Sequence, residues 1–127
     1  MWLEKQIEKS IVSYLKGIWA WCEWLQSWSI TSKRWHKTYK INLCSNGTPD
    51  IICLYKGNFI AIEVKKNQEE VDSWIKKEGR YKETWELAKS NERELNQIKH
   101  KHNIIENGGT HIITCDINEV IDYFISL

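Results

Sequence analysis

Two apolar runs joined by a short turn carry three charged residues, and this combination limits how the chain can fold. The first run, residues 51–55, follows Asp50, and the second, residues 59–62, leads directly into Glu63 and then Lys65. Runs that are apolar on both faces are typical of central, buried strands. A buried charge is costly unless it is paired or binds a metal. The three charges therefore indicate a functional cluster within a sheet.

The turn between the two runs brings their charged ends together. Lys56-Gly57-Asn58 supplies the glycine and asparagine of a tight turn, and Asp50 and Glu63 lie almost equally far from it along the chain. Side-chain alternation places Glu63 and Lys65 on the same face of their strand. The sequence therefore predicts an antiparallel hairpin with Asp50, Glu63 and Lys65 at one edge of a sheet.

The remaining patterns predict one α/β domain over residues 1–127, a length and a 42% apolar content that suit a single core. Helical patterns cover residues 3–16, 67–90, 91–107 and a C-terminal segment opened by a capping box from Asp116 to Glu119. Besides the hairpin, strand patterns cover residues 18–28, 35–44 and 110–115. The first of these also fits a helix. The element order α-β-β-β-α-β-α predicts a mixed sheet flanked by helices.

Tryptophans and cysteines give two further expectations. Five of the eight tryptophans lie between Trp19 and Trp35, where they are expected in the core or in a dimer interface. The four cysteines have no C-x-x-C spacing, and Cys53 and Cys115 fall in predicted strands. They predict buried thiols in a reducing compartment, with a zinc site or a disulfide as the alternative.

The N-terminus is charged and no apolar run approaches the length of a membrane span. We therefore expect a cytoplasmic protein without a membrane segment. The net charge of +1 does not by itself indicate a nucleic-acid-binding protein, but local charge does. Basic residues between Lys33 and Lys40 are interleaved with Trp35 and Tyr39, and a second basic stretch covers residues 99–102. Such stretches can neutralise phosphates while aromatic rings support bases, although a solvated charged surface is the alternative.

The charged hairpin resembles the signature of a nuclease superfamily. Gly47-Thr48-Pro49-Asp50, followed after a spacer by Ala61-Ile62-Glu63-Val64-Lys65, is similar to the PD-(D/E)xK motif. Within that superfamily it looks like the VRR-NUC (virus-type replication-repair nuclease) domain of the standalone phage and prophage type. The resemblance extends to Glu4 in the first helix, Gln97 in a later helix and Gly108-Gly109 before the last strand. It implies a restriction-endonuclease-like core.

The resemblance is weakest over residues 66–90. A family-variable insertion that contacts substrate, an oligomer contact and an ordinary amphipathic helix pair are the three interpretations of this segment. Two assignments also stay open elsewhere. Glu8 competes with Glu4 for the role of the first-helix acid, and Gln97 either approaches the active site or lies on a helix surface.

The resemblance implies a metal-dependent DNA endonuclease. The implied ligands of Mg2+ or Mn2+ are Asp50, Glu63, Glu4 and the backbone carbonyl of Val64. The bound metal would activate a water and neutralise charge on the phosphate. Lys65 would position or deprotonate that water or stabilise the transition state. The implied catalytic residues are Asp50, Glu63, Lys65, Glu4 and Gln97.

The implied substrate is branched DNA, with four-way (Holliday) junctions of recombination and repair as the leading candidate. The resemblance implies a homodimer, because two related active sites suit a substrate with two equivalent strands. It implies no small-molecule cofactor. The predicted DNA contacts are Lys33, Arg34, Lys37, Lys40 and Lys66. The alternatives are a flap- or end-directed repair nuclease, a non-catalytic DNA-binding module, and an unrelated small enzyme or interaction domain.

Overall fold

The computed structural model describes residues 4–25, 29–34, 37–42, 47–83 and 92–127, with the backbone alone for 29–34, 37–42, 81–83 and 92. In chain order the elements are α1 (Glu4–Gly17), β1 (Trp21–Trp24), β2 (Ser29–Arg34), β3 (Lys37–Asn42), β4 (Ile51–Tyr55), β5 (Asn58–Val64), α2 (Gln68–Glu83), α3 (Glu92–Glu106), β6 (Thr110–Thr114) and α4 (Ile117–Ile125). The predicted α/β class is confirmed.

The main sheet has four strands in the order β1-β4-β5-β6. The first two pairings are antiparallel and the pairing of β5 with β6 is parallel, so the predicted mixed sheet is confirmed. Strands β2 and β3 form a separate antiparallel pair in which Arg34 lies opposite Lys37. The sequence patterns predicted β3 within residues 35–44 but gave no strand for β2. The described part of the chain therefore has five strands before α2, where the sequence patterns gave four and the predicted element order three.

The hairpin of β4 and β5 has the predicted geometry. Lys56 and Gly57 form its turn with φ values of 49° and 79°. Positive φ at both central residues belongs to the two-residue turn that matches the twist of an antiparallel pair. The register then places Ile51 opposite Ile62, so that Asp50 and Glu63 lie at the same end of the hairpin.

One face of the sheet forms the main core with α1 and α4. The inward residues of β5 pack there with the apolar stripe of α1 and with Val120 and Phe124 of α4. The α1 stripe comprises Ile7, Ile11, Val12 and Leu15. These residues fall three, four and five positions apart along one side of α1, and Tyr14 packs beside them while only partly buried. Glu8 is buried on the same helix.

Helices α2 and α3 cover part of the opposite face. Trp74 of α2 and Ile98 of α3 form a second, smaller core there, with Leu95 and Ile113 against it. The other end of this face is open, since Trp21, Leu54 and Phe59, which lie opposite one another across three strands, are exposed. 

Of the two expectations for the tryptophan cluster, burial in the core of one chain does not hold for two of its members, and the dimer interface stays a prediction. Trp21 is 55% exposed, and Trp19 is 93% exposed at the end of α1, where its φ is 64°. Strand alternation assigns Trp21 to a face, but none of the helices that the structure describes covers its end of that face. Trp28 and Trp35 lie outside the described residues.

The C-terminal helix begins as predicted, with a difference in its cap. Asp116 accepts a hydrogen bond from the backbone N–H of Asn118, which confirms it as the N-cap. Glu119 does not close the predicted capping box. Its carboxylate accepts a hydrogen bond from the Thr114 hydroxyl at 2.8 Å, and that hydroxyl accepts one from the Asp116 N–H at 3.0 Å.

The cysteines that the structure describes are free thiols: Cys22, Cys53 and Cys115. Cys53 is buried as predicted, and burial raises the pKa of its thiol to about 12. Cys115 is only partly buried, because β6 ends one residue before it. Cys44 lies outside the described residues. No helix in the described ranges is long and apolar enough to cross a membrane.

The loop before β4 lies directly against α3. Gly47 has a φ of 80°, and a Cβ built on it would lie 2.5 Å from two Asn96 atoms and 2.6 Å from the Gln97 backbone nitrogen. Such distances are shorter than any van der Waals contact, so only glycine fits. This contact fixes the position of α3 relative to the start of the hairpin.

We expect Gly47→Ala to lower the free energy of unfolding by roughly 2–5 kcal/mol, because the new Cβ overlaps the α3 backbone at an unfavourable φ. Gly57→Ala is the matched control, with a φ of 79° and no atom within 4 Å of its Cβ. Gly57→Ala should lower the free energy of unfolding only by the cost of placing a side chain at positive φ, about 1–2 kcal/mol. Urea unfolding measures both variants. Equal losses would contradict the close contact with α3.

Candidate active site

Asp50 lies at the end of the hairpin, where the β4–β5 pairing stops. The last paired residues are Ile51 and Ile62, so the Val64 N–H extends beyond the β4 backbone. The Asp50 side chain takes the missing partner's place, since its Oδ2 accepts from the Val64 N–H at 2.8 Å. The N–H and C=O of one residue in an antiparallel strand face the same neighbour. The Val64 carbonyl therefore also faces the Asp50 side of β5.

Glu63 is almost fully buried, with 1% of its surface exposed. Its Oε1 accepts a hydrogen bond from Gln97 Nε2 at 2.9 Å, whereas its Oε2 receives none from the residues that the structure describes. Burial, and next the negative charge of Asp50, raise the pKa of Glu63 well above its ordinary value. A cation bound between the two acids would relieve this repulsion.

Lys65 joins the two acids on the face predicted from strand alternation. Its ammonium lies 4.0 Å from Glu63 Oε1 and donates to Gln97 Oε1 at 3.1 Å. Gln97 is only 3% exposed, and its oxygen also accepts from Trp74 Nε1 at 2.9 Å. The structure therefore places the Gln97 side chain inside the cluster. The alternative of a helix-surface amide is wrong.

Helix α1 brings two acids toward Asp50, since Glu4 and Glu8 lie one turn apart on one face. Glu8 is fully buried, and its Oε1 accepts from Trp24 Nε1 at 3.1 Å. Burial, and next the charge of Asp50, raise the pKa of Glu8 to about 7. The pKa of Glu4 is raised by the same two causes. Glu4 is only partly buried. The first-helix acid of the sequence prediction is thus a pair, with Glu8 the deeper member.

A pocket of about 490 Å³ opens beside this cluster. Its lining residues are Glu4, Lys65, Lys66, Asn67, Glu69, Glu70, Ser73, Arg93 and Glu94. The first turn of α2 contributes several of them, and its Asn67 side chain accepts from the Glu70 N–H at 2.9 Å. Acidic groups slightly outnumber basic ones. The pocket therefore suits an anionic substrate only together with added positive charge.

The donor set at the hairpin end fits a hard divalent cation. Among the described residues, no three His, Cys, Asp or Glu side chains are grouped closely enough to hold a metal ion. Asp50, Glu63 and the Val64 carbonyl are oxygen donors of the kind that Mg2+ and Mn2+ take, with waters and substrate completing the shell. The Glu63 Oε2 atom without a donor and the mutual repulsion of two buried acids both favour a cation there.

The predicted DNA contacts are only partly described. Lys66 is exposed at the pocket, where it pairs with Glu70 at 3.5 Å. The side chains of Lys33, Arg34, Lys37 and Lys40 lie outside the described part of the chain. In the second basic stretch, Lys101 and His102 both contact Glu78, at 2.9 and 3.4 Å, and so join α3 to α2.

Two site residues were missed from the sequence. Arg93 lines the pocket, and its charge lowers the pKa of both Glu4 and Glu63, against the larger effect of burial. Trp74, which lies on α2, donates a hydrogen bond from its indole N–H to Gln97 Oε1. Nothing in the spacing of Arg93 sets it apart from the other charges of this segment. A signal for Trp74 was available, because a buried indole N–H needs a partner and the surrounding segment is strongly polar.

No protein-family model, no curated protein and no solved structure matches this chain. The fold and the site together define a mixed α/β domain with two buried acids, a lysine and a glutamine at one end of a hairpin. What this domain does must therefore be argued from that geometry and from the resemblance of its residues.

Stability should depend on pH through Glu8. Below pH 4.5 the acid is protonated in both states, and between pH 4.5 and 7 the folded protein keeps a proton that the unfolded chain has lost. Stability therefore falls over this window, and the full cost of the buried charge, about 3 kcal/mol, is present above pH 7. Glu8→Gln should match the native protein near pH 4 and exceed its free energy of unfolding by about 2–3 kcal/mol near pH 8.5.

Urea unfolding in chelator at the two pH values measures this difference. A comparison with Glu8→Leu separates the effect of the charge from that of the hydrogen bond. Glu8→Gln removes only the charge, whereas Glu8→Leu removes both the charge and the acceptor of the Trp24 bond. Its gain at pH 8.5 should be smaller than that of Glu8→Gln by about 1 kcal/mol, the contribution of the lost Trp24 bond. A Glu8→Gln difference that is the same at both pH values would contradict the raised pKa.

Proposed function

We propose that the protein is a metal-dependent endodeoxyribonuclease with a restriction-endonuclease-like core. The observation that carries this proposal is the convergence of Asp50, Glu63, Lys65 and Gln97 at one end of a buried hairpin, beside an open pocket. Two acids and a lysine in this arrangement are the groups that phosphodiester hydrolysis requires. The resemblance of the hairpin to the PD-(D/E)xK signature and its VRR-NUC branch supports the same assignment.

Asp50, Glu63 and the Val64 carbonyl would hold Mg2+ or Mn2+, and Glu4 at the pocket would help to bind the metal or to order a water. When bound, the metal would lower the pKa of a water and neutralise charge on the phosphate. The protein's own contribution is orientation. The Val64 N–H holds one oxygen of Asp50, and the Gln97 amide holds Glu63 Oε1, which leaves Glu63 Oε2 without a donor among the described residues and available to a metal.

Lys65 would supply the positive charge closest to the reacting phosphate. Its ammonium is held 3.1 Å from Gln97 Oε1 and 4.0 Å from the nearest Glu63 oxygen, so it has donors left for a water or a phosphate oxygen. A fixed cation at this point stabilises the charge that develops when the phosphodiester is attacked. Lys66 and Arg93 at the pocket would contact phosphates further along the strand.

The proposed substrate is branched DNA, with a four-way junction as the leading candidate and a homodimer as the acting form. This choice rests on the resemblance, and sedimentation equilibrium would test the dimer. A flap- or end-directed repair nuclease would use the same site. A non-catalytic DNA-binding module is disfavoured, because both acids, the lysine and the glutamine are present, and hydrogen bonds link Glu63 and Lys65 through Gln97.

The native protein should cut a labelled four-way junction with Mg2+ or Mn2+ and lose this activity in chelator. Asp50→Ala, Glu63→Ala and Lys65→Ala should each lower the rate by about 100-fold or more, the scale of losing one electrostatic contact to the transition state. Asp122→Ala and Lys76→Ala, at exposed positions outside the pocket lining, are the controls and should cut at the native rate.

Flap, single-stranded and duplex substrates in the same assay separate the candidate activities. Faster cleavage of the flap than of the junction would select the flap-directed alternative. Cleavage that survives all three site substitutions would reject the assigned site. Junction binding without cleavage under either metal would select the non-catalytic module.

Contacts from the β2–β3 pair to phosphates should appear in the salt dependence of binding. With the Asp50→Ala protein, adding Lys37→Gln and Lys40→Gln should lower the slope of log K against log salt by about 2 in magnitude, close to 0.9 for each lost phosphate contact. The matched control, Lys9→Gln with Lys16→Gln, changes two exposed lysines of α1. Fluorescence anisotropy measures the slopes. The same slope in both double variants would remove this surface from the DNA interface.

A further inference from the structure

We propose that Trp74 is a positioning residue of the active site, whose indole N–H holds the Gln97 amide in the orientation that places both Glu63 and Lys65. The inference rests on the proposed function for its effect on catalysis. Its structural content is independent of that function. Trp74 belongs to α2, in the segment that the sequence resemblance covers least.

The Gln97 amide has three partners of fixed chemical character. Its oxygen accepts from Trp74 Nε1 at 2.9 Å and from Lys65 Nζ at 3.1 Å, and its nitrogen donates to Glu63 Oε1 at 2.9 Å. An indole N–H and an ammonium are donors only. Both must therefore meet the amide oxygen, which turns the amide nitrogen toward Glu63.

The Trp74 N–H is the fixed one of these two donors. Lysine is a flexible side chain with rotatable donors, and the Lys65 ammonium is already 4.0 Å from Glu63 Oε1. Without the indole N–H, a small rotation would let Lys65 pair directly with Glu63. The amide would then lose its orientation, and the Glu63 carboxylate would turn toward the lysine and away from the metal position.

Packing holds the indole itself in place. Trp74 is 1% exposed, and its ring stacks on His111 with a centroid separation of 5.7 Å and an interplanar angle of 9°. The Lys101 ammonium lies 5.3 Å from the ring centroid and is tied to Glu78 at 2.9 Å. Burial and these two contacts therefore hold the ring, and with it the N–H donor, in place.

The remaining neighbours of Trp74 require only its apolar surface. Trp74 forms a small core with Ile98, against which Leu95 and Ile113 pack, and a phenylalanine keeps an aromatic ring and part of this apolar contact while it removes the N–H. The N–H donates to the Gln97 amide oxygen. Trp74→Phe therefore separates the hydrogen bond from the packing.

The test compares Trp74→Phe with Trp21→Phe, a control at an exposed position on the open end of the sheet. In Trp74→Phe, kcat on the junction should fall about 10-fold with KM unchanged, and Mn2+ affinity by calorimetry should weaken about 10-fold, the usual scale for losing a group that orients a metal ligand. Trp21→Phe should change neither. In a Gln97→Ala background, Trp74→Phe should cause no further loss of kcat.

NMR of the metal-free protein tests the positioning without any nuclease activity. The Gln97 side-chain amide resonances should shift in Trp74→Phe and stay in place in Trp21→Phe. If the native protein cuts no DNA, the proposed function fails, and the amide resonances and Mn2+ affinity alone decide the role of Trp74. The positioning role of Trp74 would be overturned if the Gln97 amide resonances were unchanged in Trp74→Phe. It would also be overturned if Trp74→Phe lowered kcat equally with Gln97 present and in the Gln97→Ala background. Should Trp74→Phe not fold, missing NOEs between the Trp74 indole N–H and the Gln97 side chain in the native protein would overturn it as well.

Discussion

The burial of Asp50 and Glu63 next to each other is the constraint on which the rest of the site depends. Two carboxylates removed from water repel each other, and each loses hydration that must be replaced. The Val64 N–H serves Asp50, while the Gln97 amide serves Glu63. These bonds offset the lost hydration, but when both acids are ionised one negative charge is left over, because the single positive charge of Lys65 balances only one of them. A divalent cation is the simplest group that would balance it.

The sequence predicts this cluster as far as local rules extend. Alternation along β5 and the tight turn at Gly57 determine that Asp50, Glu63 and Lys65 meet, because both depend only on neighbouring residues. The partners of the cluster could not be predicted in the same way. Gln97 reaches Glu63 from 34 residues away, and that approach depends on the contact of Gly47 with the α3 backbone, which no spacing pattern records.

The two α1 acids and the exposed tryptophans show the same limit. Periodicity shows that Glu4 and Glu8 share a helix face, but the rotation of the helix against the sheet decides which is deeper. It makes Glu8 the buried acid and leaves Glu4 at the pocket. Likewise, alternation assigns Trp21 to one face of β1 without showing how far α2 and α3 extend over that face. In both cases the sequence pattern does not show how a layer of helices is placed on the sheet.

The layer of α2 and α3 therefore contacts both apolar and charged groups of the sheet. Glu63 of β5 and Lys65, directly after it, lie on the same face as Ala61. The layer above must be apolar where it covers the sheet and polar where it meets the acids. Gln97 and Ile98, which are neighbours in sequence, make the two kinds of contact. Gln97 bonds to Glu63, and Ile98 packs in the small core. Trp74 combines both in one side chain, because its ring packs with Ile98 and its N–H reaches Gln97. A segment that looks like an insertion in the sequence is thus part of the structure that holds the acids in place.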